Sequence, residues 1–176
     1  MGYTTEFEGY IEVNSPLSEE ECLYLEKFSN TRRIVRRQSA YYVGGGGLAG
    51  QAREDDIIDY NMPPEEQPGL WCQWVPNRFG NKIEWDGGEK FYNSVEWMEY
   101  IIDHFFGDDP LAKSELPFLQ SHKLNGEILA QGEDIDDRWR LIVKDNVVSR
   151  EEHPHIGAKI ECPNCECHFY FDVKSA

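Results

Sequence analysis

The sequence holds no run approaching the roughly 18 apolar residues that a membrane-crossing helix needs. Its opening, Met1 to Tyr10, carries neither a basic stretch nor an apolar core, which is not the pattern of a secretory signal. Cations are scarce: 17 Lys and Arg stand against 33 Asp and Glu, a formal net charge of -16. A surface so short of cations repels phosphate, so nucleic acid and anionic membranes are not the expected partners. It suits a basic protein partner or mimicry of DNA; the plainer reading is that the acidity only keeps the chain in solution. Catalytic signatures are missing as well. There is no G-x-S-x-G elbow and no H-E-x-x-H. The run Gly44 to Gly47 lacks a Walker lysine and the G-x-G-x-x-G pattern, so a lid or hinge is expected there rather than a phosphate loop. No disulfide framework is suggested either, because the five cysteines are odd in number and three of them crowd at Cys162, Cys165 and Cys167. That usage points to a reduced compartment, with cytoplasm as the expected location, and to a metal site.

What is present suffices for a core. The chain has 176 residues, 40% hydrophobic and 13% aromatic, too apolar for a disordered acidic tail. Phe7, Gly9, Ile11 and Val13 alternate with Glu6, Glu8, Tyr10 and Glu12, which predicts a half-buried strand. Ser18 and Glu21 form a capping-box pattern for a helix that turns Cys22, Leu25 and Phe28 inward. A long irregular stretch follows over 31–69, with a short strand expected at Ala40 to Val43. Leu70 to Val75 and Lys82 to Asp86 read as paired strands. Asn93 is set to cap a second helix with the stripe Val95, Met98, Ile101, Ile102 and Phe105. Lys123 to Gln131 and Arg138 to Asp145 alternate as an antiparallel hairpin. The expectation is an α+β fold: an antiparallel sheet of about five strands with two helices on one face, either ferredoxin-like or a meander. Residues 1–149 form this core domain, and 150–176 form a small C-terminal hairpin resembling a zinc knuckle.

Several segments taken together are distinctive. They include Gly2-Tyr3-Thr4-Thr5-Glu6-Phe7, Gly69-Leu70-Trp71-Cys72-Gln73-Trp74-Val75-Pro76 and Trp85-Asp86-Gly87-Gly88-Glu89-Lys90-Phe91-Tyr92. The combination, over roughly Met1 to Val148, resembles a group of uncharacterised bacterial and phage-encoded proteins. The group has no established activity. The resemblance therefore implies an accessory or host-interaction role and carries over no functional residues.

Three constellations bear chemistry. In the tail, Cys162 and Cys165 have the C-x2-C spacing of a zinc knuckle, and His153 and His155 complete a tetrahedral set for a structural zinc, with Cys167 and His168 in reserve. A metal-free hairpin is the competing reading, since no second C-x2-C exists. The only basic cluster is Arg32, Arg33, Arg36 and Arg37, after the first helix. It reads either as partners for nearby carboxylates or as a pocket for a small anionic or nucleotide-like ligand. The uncovered sheet face is expected to present Trp71, Asp86, Glu127, Arg138 and Arg140. The turn carrying Trp85, Glu89 and Lys90 leads into the second helix. The leading expectation is a binding module for a protein partner or small anionic ligand. The rivals are a small enzyme, with an arginine holding an anion while Asp86, Glu89 or Glu127 moves protons, and a structural accessory protein with a zinc-stabilised tail.

Overall fold

The computed structural model describes residues 2–152 and, beyond them, the backbone of 160–161 and 168–169. The chain begins with β1 (Thr5–Asn14) and α1 (Glu19–Asn30), then a short ladder of β2 (Val35–Arg36) with β3 (Ile57–Asp59). The hairpin β4 (Trp74–Pro76) and β5 (Lys82–Trp85) comes next, then α2 (Ser94–Ile101). The core closes with β6 (Lys123–Gly132), β7 (Arg138–Lys144) and β8 (Val147–Glu152). Further on, β9 (Ile160–Glu161) pairs antiparallel with β10 (His168–Phe169).

The main sheet has six strands in the order β4-β5-β1-β6-β7-β8, and every neighbouring pair is antiparallel. β1 and β4 therefore run the same way with β5 between them, and β5 and β6 do so with β1 between them. The chain crosses from β1 to β4 through α1 and from β5 to β6 through α2. These are two interleaved split βαβ units, and β6-β7-β8 adds a meander at one side.

Alternation sets the register. Ile11 and Val13 of β1, Leu124, Ile128 and Ala130 of β6, and Trp139, Leu141 and Val143 of β7 are all buried in one cluster. A slip of one residue would turn this whole set to solvent. Two glycines make room at the β1–β6 ladder, where Gly9 faces Ile128 and Ile11 faces Gly126. Gly9 has φ +114 and Gly126 φ +145, and a Cβ on either would lie 2.8 Å from the facing strand's carbonyl oxygen. A side chain at either position would therefore collide with the backbone of the facing strand.

Both helices bury their stripes in this cluster, so they share one face of the sheet. α1 starts at a complete capping box between Ser18 and Glu21. α2 continues into a π-helical turn over Ile102–Phe106. Ile102, His104, Phe105 and Phe106 are all buried there, His104 beneath Tyr41. Asn93, expected as its cap, has φ 55 and makes no capping bond; its side-chain amide donates instead to the Pro68 carbonyl. The expected strand from Leu70 begins only at Trp74, because the Leu70 carbonyl is taken by the Arg33 amide. Ala40 to Val43 forms no strand. The sixth strand, β8, runs on to Glu152, past the boundary at 149.

Candidate functional site

The arginine cluster folds inward. The segment between α1 and β4 lies across the helices as a strap, and its arginines fasten it. Arg33 is 3% exposed, with its guanidinium 4.1 Å from the centre of the Phe28 ring. It donates to the carbonyls of Ala40 (2.7 Å) and Tyr42 (3.0 Å) and to the side-chain oxygen of Gln67 (3.2 Å). Burial lowers its pKa to about 10, so it stays charged at neutral pH. Arg36, also buried, pairs with Asp56 (3.1 Å) and Glu54 (3.3 Å) and donates to the Gly50 carbonyl. Arg32 reaches Gln51, while Arg37 is exposed. The donors of Arg33 and Arg36 are thus largely engaged by the protein's own oxygens.

A polar cluster lies under the strap. The Gln67 amide donates to the Tyr100 hydroxyl at 3.1 Å, and Tyr100 stacks on His104 with ring centres 3.9 Å apart. The other side of His104 meets Tyr41, whose hydroxyl is 2.7 Å from Nδ1. Burial holds His104 below its usual pKa and pushes Tyr24 and Tyr100 up. Perturbed groups of this kind often mark active sites, but here they fill a packed layer between strap and helices.

A second buried pair joins α1 to the start of β6. Glu21 is 1% exposed and accepts from Ser18, from the Gln120 amide (2.7 Å) and from Nε2 of His122 (3.1 Å). Nδ1 of His122 faces the Ser15 carbonyl at 2.8 Å. Both ring nitrogens meet acceptors, an arrangement that favours the doubly protonated ring. Burial alone would raise Glu21 and lower His122. The bonds from His122, Ser18 and Gln120 outweigh it and hold Glu21 at about 2, and Glu21 in turn raises His122.

The outer sheet face is different in kind. Glu6, Glu8, Tyr10 and Glu12 of β1 point away from the helices and are exposed. Lys82 lies over the Tyr10 ring at 3.4 Å. Register continues the face through Glu84 of β5, Glu127 and Gln131 of β6, and Arg138 and Arg140 of β7. Arg140 bridges Glu127 (3.3 Å) and Glu151 (2.6 Å). Cations thus gather on the β7 side. Glu6, Glu8 and Glu12 join none of the ion pairs among the described residues.

Trp71 and Asp86 lie outside the strands, so they do not share that face in register. Trp85 donates to the Gln73 side chain, which donates in turn to the Glu89 carbonyl. This knits the turn together with Lys90 exposed at φ 59. No hydrogen bond or ion pair among the described residues joins the side chains of Asp86, Glu89 or Lys90 to either arginine set. His153, His155, Cys162 and Cys165 lie outside the described residues. Among the residues that are described, no group of three or more His, Cys, Asp or Glu is placed to hold a metal ion, and no helix is long and apolar enough to cross a membrane.

Sequence reasoning missed Glu21–His122 and the cluster around His104, since their members are far apart in the chain. It also missed β8, although Asp145-Asn146 between two apolar runs is a hairpin signal. No family model matches the chain, and no curated protein or solved structure matches it either.

Proposed function

We propose that this chain is an acidic interaction module that engages a basic protein partner through the outer face of its sheet. The observation that supports this reading is the central strand β1, which presents Glu6, Glu8 and Glu12 outward, exposed and outside the ion pairs of the described residues. A formal charge of -16 adds long-range attraction for a cationic partner. The sheet beneath is of ferredoxin-like kind with a meander added, a rigid base for such a face. An accessory role for a phage or mobile element, engaging a host protein, fits the resemblance of the N-terminal and central segments. An enzyme acting on a small anionic substrate draws less support, because Arg33 and Arg36 are engaged by the strap and the carboxylates Asp86, Glu89 and Glu127 are separate from them.

For the tail we keep a structural zinc held by His153, His155, Cys162 and Cys165. The antiparallel pairing of β9 with β10 supports it, since that ladder brackets the two cysteines as a knuckle would. Elemental analysis of purified protein should return about one zinc per chain; less than about half an equivalent rejects the site.

The interaction reading is tested by titrating a folded lysine-rich test protein against the wild type and against Glu6→Gln/Glu8→Gln/Glu12→Gln at two salt concentrations. Affinity should fall about tenfold or more in the variant and fall with salt in the wild type. Equal affinity for both proteins overturns the reading.

A further inference from the structure

The two edges of the main sheet are defended unequally. β4 is short, ends in Pro76, and is packed against α1, with the Ser29 hydroxyl on the Trp74 carbonyl at 2.9 Å. Such features blunt an edge. β8 is six residues long and contains no proline.

The hydrogen-bond phase of β8 can be read from one bond. The Gly132 amide donates to the Asp137 carbonyl, so this pair is of the bonded type. Bonded and non-bonded pairs alternate along an antiparallel ladder. Counting along the register, 139, 141 and 143 bond to β6, and 138, 140, 142 and 144 turn to the other side. Val147, Ser149 and Glu151 then bond to β7 as partners of Lys144, Ile142 and Arg140. The turn agrees, because Asp145 (φ 48) and Asn146 (φ 71) form the two-residue, left-handed turn that closes on a bonded pair. The amides and carbonyls of Val148, Arg150 and Glu152 are left facing outward, with no backbone partner among the described residues.

A cavity of about 380 Å³ lies next to this edge. It is lined by Arg150 of β8, by Trp139 and Asp137, and by Tyr92, Val95 and Glu96 around the start of α2, which packs against β8. Arg150 sits 4.3 Å over the Trp139 ring. A strand added to β8 would place every second side chain on this inner, helix side and the others on the outer face beside Glu151.

We propose that β8 is a docking edge for an extended peptide of alternating apolar and basic residues, which joins the sheet as a seventh strand. Backbone bonds to Val148, Arg150 and Glu152 supply affinity. The apolar side chains meet Trp139, Tyr92 and Val95, and the lysines or arginines lie on the outer side beside Glu151, which Arg140 also contacts, drawn there by the chain's net charge of -16. This rests on the interaction reading above for the charge of its partner. The edge itself does not depend on Glu6, Glu8 and Glu12.

The probe is an eight-residue peptide alternating valine and lysine, capped at both ends. It is titrated into the full-length protein and followed by calorimetry and by amide hydrogen exchange. Expected are saturable binding and at least tenfold slower exchange of the Val148, Arg150 and Glu152 amides. Arg150→Pro should abolish binding, because it removes an outward amide while leaving the β7 ladder intact. Arg150→Ala, which keeps the amide, should retain it. If Arg150→Pro fails to fold, the exchange pattern of the wild type decides alone. No binding, or the same three amides already protected without peptide, overturns the proposal. Binding that is lost in the Glu6/Glu8/Glu12 variant but unchanged in Arg150→Pro also overturns it while leaving the face reading standing. The converse result supports the edge and rejects the face.

Discussion

Arg33 and Arg36 on the strap, and Arg138 and Arg140 on β7, have the same side chain in opposite settings. The strap arginines are buried, and their donors are met largely by carbonyls and carboxylates that reach them from distant points of the chain. The strand arginines lie half-open on the sheet, where Arg140 bridges two exposed glutamates. In a chain with so few cations, the difference separates those that hold the fold from those free to meet a partner. A desolvated guanidinium cannot lose its acceptors without large cost, whereas an exposed one exchanges them for water. Substitution should therefore divide the two sets sharply.

The largest effect is expected at Arg33. Arg33→Met keeps the stem over Phe28 but strands the Tyr42 carbonyl and the Gln67 side-chain oxygen, each of which costs about 1–3 kcal/mol when buried without a donor, while the Ala40 carbonyl keeps the Gln67 amide. Urea unfolding should show a loss of about 4 kcal/mol, with the strap amides exchanging fastest. Arg33→Lys should recover less than half, because one ammonium cannot span three acceptors in the fork geometry. A loss below about 1 kcal/mol would show that the strap does not depend on this residue and would erase the contrast.

Glu21 extends the comparison to carboxylates, being as buried as Arg33, while Glu127 is exposed. Glu21→Gln should cost about 3 kcal/mol, since it leaves a charged His122 without its partner. The pH dependence has a defined sign. Glu21 falls from 4.5 to about 2 on folding, so its contribution is full above about pH 4.5 and fades as pH drops toward 2. His122 is raised above 6.5, so its contribution is full below that value and fades as pH climbs through the raised pKa. The difference in unfolding free energy between wild type and Glu21→Gln should thus peak between about pH 4.5 and 6.5. His104 acts oppositely: held neutral by burial, it destabilises the fold as pH falls below 6.5, and it cancels in that difference. A flat difference curve would mean that the pair is not ionised in the folded state.

These buried groups were the part the sequence conceals. Alternation in β1, β6 and β7, the stripe of α2 and the Ser18–Glu21 capping box are local patterns, so their elements are legible within windows of about ten residues. Glu21 was legible as a cap yet not as the partner of His122, which lies a hundred residues on and belongs to no pattern. The arginine cluster was legible as charge only. What turns Arg33 inward is the Phe28 ring and three acceptors scattered from Ala40 to Gln67, an arrangement that exists only once the strap has folded. The Lys123–Gln131 hairpin was legible, but β8 was not, because VVSREE is short, polar at its end and lies across the expected boundary at 149. The outer face was partly legible: period-two counting placed Glu127, Arg138 and Arg140 together but also included Trp71 and Asp86, which the chain uses outside the ladder.

The smallest effect is expected on the sheet face, where Arg140→Ala breaks two ion pairs at once. Both partners remain in water: Glu127 is 62% and Glu151 52% exposed at the side chain. Exposed pairs of this type contribute about 0.2–1 kcal/mol, and salt screens most of that. Arg140→Ala should therefore lower stability by about 0.5 kcal/mol at low salt and by less at about 0.5 M salt. Arg33→Met should change little with salt, because its contacts are out of the solvent's reach. Removing Arg140 also releases Glu127 and Glu151, which makes the face more acidic. If that face meets a cationic partner, the same substitution should strengthen binding of the lysine-rich test protein while it slightly weakens the fold. Opposite signs in the two measurements would separate a surface kept for contact from one kept for stability, and a loss in both would place Arg140 with the strap arginines instead.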